Sequence, residues 1–272
     1  MSKEEQLMFN YVTAALLVIV LVFIPIVGHT AADTDGLVIY LPMDEGKGNV
    51  AEDLSPLGVN DGKLIQDAKF VANGKHGGAI ELDGKGGSFV DMPWHDSMDV
   101  GADDFSTEIW FNYDEGANAG SLIWGFNVGG GEPQFWIRTH PPNNITCLFW
   151  DGVEPNGPIV ETPKAYNDGQ WHHYAFVRRG ATLDIYVDGR KVGSGKGDEA
   201  SVTRNQAFGI HLGQRVDGNN PYAGLLDEFR FWTRQLSEEE IKANMETGQD
   251  AFLSVNPADR LTTTWGKIKA SH

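Results

Sequence analysis

Two adjacent histidines, His172 and His173, carry the first side chains whose chemistry needs an explanation. They lie in the stretch WHHYAFVRRGATLDIYVDG, residues 171–189, where paired imidazoles suggest either a metal site or a structural role. The stretch alternates like a β-strand, so the two rings point to opposite faces of a sheet and cannot bind one ion. The His-Glu-x-x-His spacing of zinc-binding helices is also absent. We therefore predict two structural histidines on a strand that ends in a tight hairpin at Asp188-Gly189.

A second residue of chemical interest is Asp227, in the stretch LLDEFRFW. Strict alternation gives Asp227 the same parity as Phe229 and Phe231, which predicts a carboxylate on the face that the aromatic rings bury. A buried carboxylate without a partner is costly, so its charge must be met by backbone N–H groups or by a cation. The sequence leaves both alternatives open.

The elements that must position these residues are predominantly strands. From Gly36 onward, short apolar runs alternate with Gly, Asp, Asn and Pro at a spacing typical of sandwiches and jelly rolls. One helix is predicted over roughly residues 238–246, because Ser237 and Glu240 have the spacing of a capping box. We predict an all-β fold, an antiparallel two-sheet β-sandwich with one short C-terminal surface helix.

Charge and cysteine content exclude several classes of function. The chain has 38 acidic and 21 basic residues, a formal net charge of −17, which disfavours nucleic acid as a partner. Cations are more natural partners, although an acidic surface also serves solubility alone. The single cysteine, Cys147, excludes an intrachain disulfide, a Cys-x-x-Cys redox pair and a thiolate zinc cluster. We expect Cys147 to be a small core residue.

Residues 1–32 are predicted to direct export rather than to form part of the fold. An uninterrupted apolar run covers residues 14–27, and Thr30 to Ala32 offer small residues for a signal peptidase. Cleavage before Asp33 is our preferred interpretation. Extension of the run over residues 11–28 nearly reaches the length of a membrane span, so an uncleaved anchor is the alternative, and the only predicted contact with a membrane. Both outcomes predict an extracytoplasmic location.

Four segments of strand and turn follow one another in an order that is typical of one known family: LVIYLPMDEGKGNVAEDLSPLGVNDGKL, GGAIELDGKGGSFVDMP, WHHYAFVRRGATLDIYVDG and YAGLLDEFRFWTRQLSEEEIKANM. With these segments the chain resembles the laminin-G-like jelly rolls of the concanavalin A-like lectin and glucanase superfamily. The resemblance implies two antiparallel sheets with adjacent first and last strands, in a domain of residues 33–248 followed by a tail of residues 249–272. Members mostly bind carbohydrate or protein ligands, and many hold calcium.

The resemblance implies a structural Ca²⁺ ion. Hard oxygen ligands on loops, without soft donors among them, suit calcium better than zinc. The alternative is that Asp227 accepts hydrogen bonds from loop amides and that the other acids are solvated turn residues. The candidate ligands are Asp44, Asp53, Asn60 and Asp227.

Catalysis is not predicted. Hydrolases of the superfamily place alternating carboxylates on one strand, so that nucleophile and acid share a face. The nearest pattern here, STEIWFNYDEG, has Glu108 but lacks the second and third carboxylates, and Asp114 and Glu115 fall in the following turn. Nucleophile elbows, phosphate loops and dinucleotide fingerprints are also missing.

The sequence therefore predicts a binding or adhesion module whose partner is a glycan or an extracellular protein. Candidate ligand contacts are Trp94 in a loop, and Trp136 and Trp150 on strands that are apolar on both faces. Core packing is the alternative role of the latter two. The alternatives to a binding module are a polysaccharide-active hydrolase on the same scaffold and a structural protein of cell-surface assembly.

Overall fold

A computed structural model describes residues 33–115, 120–127, 132–140, 144–153, 157–199, 201–203 and 208–253. These residues belong to one compact unit, which begins at Ala31. The predicted export segment, residues 1–32, and all but the first five residues of the predicted tail lie outside the described residues. Within the described part of the chain, no helix is both long enough and apolar enough to cross a membrane.

The predicted alternation of short apolar runs appears as two antiparallel sheets of eight strands each. In chain order the strands are β1 (Leu37–Leu41), β2 (Val50–Ala51), β3 (Gly62–Ile65), β4 (Lys69–Val71), β5 (Ala79–Asp83), β6 (Phe89–Met92), β7 (Phe105–Asn112), β8 (Ser121–Gly125), β9 (Gln134–His140), β10 (Asn144–Trp150), β11 (Val160–Ala165), β12 (His172–Arg179), β13 (Thr182–Val187), β14 (Arg190–Lys196), β15 (Ile210–Leu212) and β16 (Ala223–Trp232).

The strand order is that of a jelly-roll sandwich. Sheet A has the order β14-β13-β12-β7-β16-β5-β4, with β1 also paired to β16, and sheet B has the order β11-β10-β9-β8-β15-β6-β3-β2. The first and last strands are therefore adjacent, as the resemblance implies. This confirms the predicted two-sheet, all-β architecture.

The core between the sheets is aromatic. Phe105 of sheet A stacks on Phe176 and Phe231 and contacts Phe135 of sheet B edge to face, with ring centroids 5.2–5.7 Å apart. Cys147 is buried in the same core, as predicted. Because alternate residues of each strand enter this core, the intervening residues face outward, and there the chemistry of the molecule lies.

The histidine pair has the predicted geometry. His173 faces the outer side of sheet A, whereas its neighbour Tyr174 enters the core. His172 instead lies between Asp168 and Asp188, with nitrogen-to-oxygen distances of 3.2 and 2.9 Å. Asp188 and Gly189 form the hairpin turn with φ angles of +49° and +70°. The two imidazoles do not share a site.

Two short helices cover the outer face of sheet A. Helix α1 (Glu238–Met245) begins at the predicted capping box, in which Ser237 accepts from the Glu240 amide and Glu240 from the Ser237 amide. Helix α2 (Gln249–Phe252) follows in the predicted tail. Phe252 is buried and its ring contacts Tyr40 at 4.9 Å, so these residues pack on the domain.

The predicted parity of Asp227 is wrong, because strand β16 contains a β-bulge. The pairing of β16 with β7 shifts register between Asp227 and Arg230, and Glu228 has a φ of +55°. Phe229 and Phe231 enter the core between the sheets. Asp227, opposite Trp110, consequently lies on the outer face of sheet A.

Candidate functional site

The outer face of sheet B carries a row of side chains across six neighbouring strands. Each residue of the row is paired directly with the next, so that the side chains lie next to one another on one face. The row is charged at one end and aromatic in the middle. Its members are Lys63, Asp91, His211, Trp124, Trp136 and Leu148.

Two tryptophans form the centre of this row. The rings of Trp124 and Trp136 stack with centroids 5.8 Å apart and an interplanar angle of 10°. Trp124 also donates its indole N–H to the carbonyl of Asn127 at 2.6 Å. Together with Leu148 they form a small apolar cluster that is separate from the core between the sheets.

Two arginines lie over the tryptophan rings. The guanidinium carbon of Arg138 is 4.3 Å from the centroid of Trp136, and that of Arg215 is 4.4 Å from the centroid of Trp124. Both are cation–π contacts. Arg215 also forms a bidentate ion pair with Asp217, with distances of 3.0 and 2.7 Å. We call Trp124, Trp136, Arg138 and Arg215 the Trp-Arg platform.

The three predicted ligand-contact tryptophans lie in different settings. Trp136 belongs to the Trp-Arg platform and exposes only 6% of its surface, since Arg138 lies over its ring. Trp150 is half-buried beside the same apolar cluster. Trp94 lies apart from the platform, packed edge to face on Phe126 of the main core with centroids 5.6 Å apart.

Of the four predicted calcium ligands, Asp44 and Asp227 approach the same loop, residues 74–78. Asp44 accepts from the Gly78 amide at 2.5 Å, and Asp227 Oδ2 accepts from the Lys75 and His76 amides at 2.8 and 2.9 Å. Asp227 Oδ1 is buried without a hydrogen-bond partner. Burial raises the pKa of Asp227 to about 8, and the negative charges of Glu228 and Asp44 act in the same direction.

The other two predicted calcium ligands organise a separate loop. Asp53 Oδ1 accepts from the amides of Tyr40 and Ser55 at 2.9 and 3.0 Å. Asp53 Oδ2 accepts from the amides of Val59 and Asn60 at 3.1 and 3.0 Å. The side-chain amide of Asn60 donates to a backbone carbonyl at 2.7 Å. Backbone amides therefore occupy both carboxylate oxygens of Asp53, and the side-chain oxygen of Asn60 accepts from the Ser97 hydroxyl at 3.4 Å.

Among the residues described, no group of three or more His, Cys, Asp or Glu side chains is arranged to hold a metal ion. The predicted set of four is thus divided between two loops. Among the four predicted ligands, Asp227 is the one with a buried, unpartnered oxygen, which favours a cation there. Calcium stays a prediction for Asp44 and Asp227.

A buried ionic network on the outer face of sheet A was not foreseen from the sequence. Arg230 pairs with Glu228, whose Oε2 also accepts from the Tyr40 hydroxyl at 2.8 Å. Glu108 Oε1 lies 3.7 Å from His173 Nε2. Burial raises the pKa of Glu108 and of Glu228 to about 7 each and lowers that of His173 to about 3.

Two eight-stranded antiparallel sheets with an aromatic core and a side-chain platform on one outer face define a lectin-like jelly-roll domain. A laminin G family model, described as the concanavalin A-like lectin/glucanases superfamily, matches residues 84–242. The chain belongs to this superfamily. Comparison of the sequence with curated proteins gives no match.

Solved structures show the same fold at low sequence identity. The binding domain of Paraclostridial Mosquitocidal Protein 1 has a TM-score of 0.62 and 18% identity, over 78% of this chain and 52% of that chain. Domain 4 of AbnA, an extracellular arabinanase from Geobacillus stearothermophilus solved with arabinotriose, has a TM-score of 0.58 and 20% identity, over 78% of this chain and 98% of that one.

A third similar structure is the ligand-binding domain of botulinum neurotoxin serotype D, solved with N-acetylneuraminic acid. It has a TM-score of 0.58 and 14% identity, over 78% of this chain and 51% of that chain. This chain therefore spans about half the length of the two toxin chains. The three structures include binding domains and a domain of a glycoside hydrolase, and the likeness establishes the shared fold.

Proposed function

We propose that the protein is an extracytoplasmic, non-catalytic carbohydrate-binding module that holds its ligand on the outer face of sheet B. The observation that carries the proposal is the Trp-Arg platform, in which two guanidiniums lie over two stacked indoles of the adjacent strands β8 and β9. Sugar sites combine aromatic rings, which contact the apolar faces of pyranoses, with a few placed polar groups. The arabinotriose and N-acetylneuraminic acid in the titles of similar structures support a glycan ligand.

The burial of the strand carboxylates supports a binding role rather than hydrolysis. A glycosidase needs two carboxyl groups that reach the substrate, ~5–9.5 Å apart. Glu108 and Glu228 have fully buried side chains beneath the helices, and no substrate can reach them there. On sheet B, Asp91 of the row is paired with His211 at 3.2 Å. These residues therefore do not provide the two substrate-accessible carboxyl groups that the hydrolase alternative requires.

One observation favours a protein partner as the second candidate. Val153 and Ile159 expose 57% and 58% of their surfaces beside Trp150, whose indole N–H donates to the Val153 carbonyl at 2.6 Å. Exposed aliphatic side chains next to a half-buried indole suit a protein surface as well as a sugar. Capture of an extracellular protein irrespective of added glycans would favour this candidate.

We propose calcium as a structural ion held by Asp44 and Asp227 at the loop of residues 74–78. The unpartnered oxygen of Asp227 and the approach of a second carboxylate to the same loop support it. Bound there, the ion would supply positive charge to Asp227, whose pKa is raised by burial and by the neighbouring charges of Glu228 and Asp44. Its role is to stabilise the fold and not to act on the glycan.

The experiment for the proposed function is a panel of neutral and acidic oligosaccharides, measured for binding and for release of products. We expect binding without product release. The variant Trp150→Ala should weaken binding about tenfold, or ~1.4 kcal/mol, because an indole at a binding surface is removed. Trp94→Ala is the matched control and should bind as the parent does.

Each other result has a definite meaning. Release of shortened glycans would establish the hydrolase alternative. An equal loss in both tryptophan variants would show that Trp150 has no specific part in binding. The absence of binding to every glycan on the panel would contradict the proposed function itself.

A further inference from the structure

Arg138 is an arginine without an acidic partner on the Trp-Arg platform. Its side chain forms no ion pair with any carboxylate among the described residues, and its Nε is buried without a hydrogen-bond partner. Arg215, beside it on the platform, is in contrast neutralised by Asp217 in bidentate geometry. Folding thus holds the guanidinium of Arg138 over an indole while leaving its charge unmatched.

The surroundings of Arg138 reinforce this positive character. Arg138 and Arg215 lie over two indoles whose centroids are 5.8 Å apart, so two cations occupy neighbouring positions on this face. Burial lowers the pKa of Arg138, and the charge of Arg215 acts in the same direction. A guanidinium nevertheless stays protonated at neutral pH.

We propose that the module selects acidic sugars, and that Arg138 binds the carboxylate of a uronic-type or sialic-type residue. This inference rests on the proposed function and specifies its ligand class. The planar fork of a guanidinium matches a carboxylate in bidentate geometry, and Trp136 beneath it fixes the plane of the fork. Arg138 is a binding and specificity-determining residue in this arrangement.

The net charge of the chain narrows the ligand class further. At −17 the protein repels a dense polyanion, but that repulsion is screened beyond ~8 Å at physiological ionic strength. A single carboxylate that reaches the platform feels mainly the nearby guanidiniums. We therefore expect glycans with isolated carboxylates to bind, and heavily sulfated chains to bind poorly.

The experiment compares ligand pairs that differ in charge alone. Calorimetry of the full chain with 3′-sialyllactose against lactose, and with trigalacturonate against its methyl ester, measures the preference for the acidic member. Arg138→Gln should lower affinity for the acidic ligand about tenfold, as expected for loss of a charged hydrogen bond, and leave the neutral ligand unchanged. Arg138→Lys should retain part of the preference.

Arg190→Gln is the matched control, because Arg190 is exposed at the start of β14 on the other sheet. It removes the same charge from the molecule without altering the platform. Melting temperatures of all variants establish that they are folded.

Three outcomes would overturn the inference. If the parent binds neutral and acidic partners equally, the proposed function stands and the acidic specificity fails. If Arg190→Gln lowers acidic binding as much as Arg138→Gln, the preference reflects total charge and not this site. If the parent binds other glycans of the panel but no member of these pairs, the proposed function stands and the acidic ligand class is wrong.

Discussion

At the scale of single residues, Asp227 shows how a β-bulge can bury a carboxylate that lacks one of its hydrogen-bond partners. One of its oxygens is fixed by two loop amides and the other is buried without a partner. Nearby, Asp44 and Glu228 add negative charge. Strands rarely bury a carboxylate in this way without compensation. The compensation is therefore either a bound proton or a cation.

We expect Asp227→Asn to change the pH dependence of stability in the presence of chelator. The pKa of Asp227 is about 8 in the folded state, above the ordinary value of 3.8, so the folded protein binds the proton more tightly. Its contribution to stability is complete below about pH 4 and is lost as the pH rises through about 8. The side chain of the Asp227→Asn variant does not titrate, so the stability of the variant does not fall in this way. In urea denaturation, the free energy of unfolding of the variant should therefore rise relative to that of the parent between pH 5 and pH 8.5.

Addition of calcium tests whether a cation, instead of a proton, neutralises the buried carboxylate of Asp227. An ion bound only by the folded state raises the melting temperature, so calcium should stabilise the parent and have no effect on Asp227→Asn. Asp35→Asn, which alters an exposed carboxylate, is the control and should respond as the parent does. A parent that melts at the same temperature in calcium and in chelator would refute the calcium proposal. If the difference in free energy of unfolding between parent and variant does not change with pH, the raised pKa of Asp227 is refuted.

At the scale of elements, helix α1 is joined to sheet A through the buried network. Arg230 of β16 donates to the carbonyls of Asn244 and Thr247, at 3.2 and 2.9 Å, at the C-terminal end of the helix. A cation at this end also complements the helix dipole. Glu108 accepts from the Asn244 side chain at 2.9 Å. The helix therefore provides hydrogen-bond partners for charges that the sheet buries.

Removal of the capping box should weaken this element measurably. Ser237→Ala leaves the Glu240 amide without its acceptor, which typically costs ~1 kcal/mol. For a domain of this size the melting temperature should fall by about 2–4 °C. Glu239→Gln in the same turn is exposed and outside the box, and should melt within about 1 °C of the parent. Equal melting temperatures for both variants would show that packing alone holds the helix.

At the scale of the whole molecule, the described fold extends beyond the family match on both sides. Strand β1 lies before residue 84 and pairs with β16, and Phe252 lies after residue 242 and packs on the outer face of sheet A. The fold begins close to Asp33, whose carboxylate lies 3.7 Å from Arg234. Among the described residues, the strands of both sheets lie between Leu37 and Trp232.

We expect the exported protein to begin at Asp33. Cleavage there removes the apolar run and leaves β1 and its pairing intact, so the folded domain should be unaffected. Intact-mass spectrometry of protein recovered from outside the cytoplasm distinguishes the outcomes. A mass that includes residues 1–32 would establish an anchored form, and recovery only from the cytoplasm would contradict the proposed location.

Much of the fold could be predicted because its signals are local. The turn at Asp188-Gly189, the capping box at Ser237 and the opposite faces of His172 and His173 each depend on a few neighbouring residues. Alternation of period two and helix capping are properties of short segments. Such features were therefore readable directly from the chain.

The candidate site depended on contacts between distant residues. Arg138 lies over Trp136 of its own strand, but Arg215 lies over Trp124 of β8, and the stack of Trp124 on Trp136 joins β8 to β9. These two contacts follow from strand register and loop position. No local pattern specifies which residues of separate strands lie side by side. The bulge at Glu228 likewise reversed the face of Asp227, because one extra residue shifts every later side chain by half a repeat.

The sequence by itself determined a two-sheet sandwich, its hairpin, its capped helix and the structural character of the paired histidines. The tertiary structure alone decided that Trp124 and Trp136 stack, that Arg215 lies over Trp124, and that Asp227 faces outward with one oxygen unpartnered. The physical reason is that secondary structure arises from interactions within a segment. Register, bulges and burial of charge arise only when segments far apart in the chain pack together.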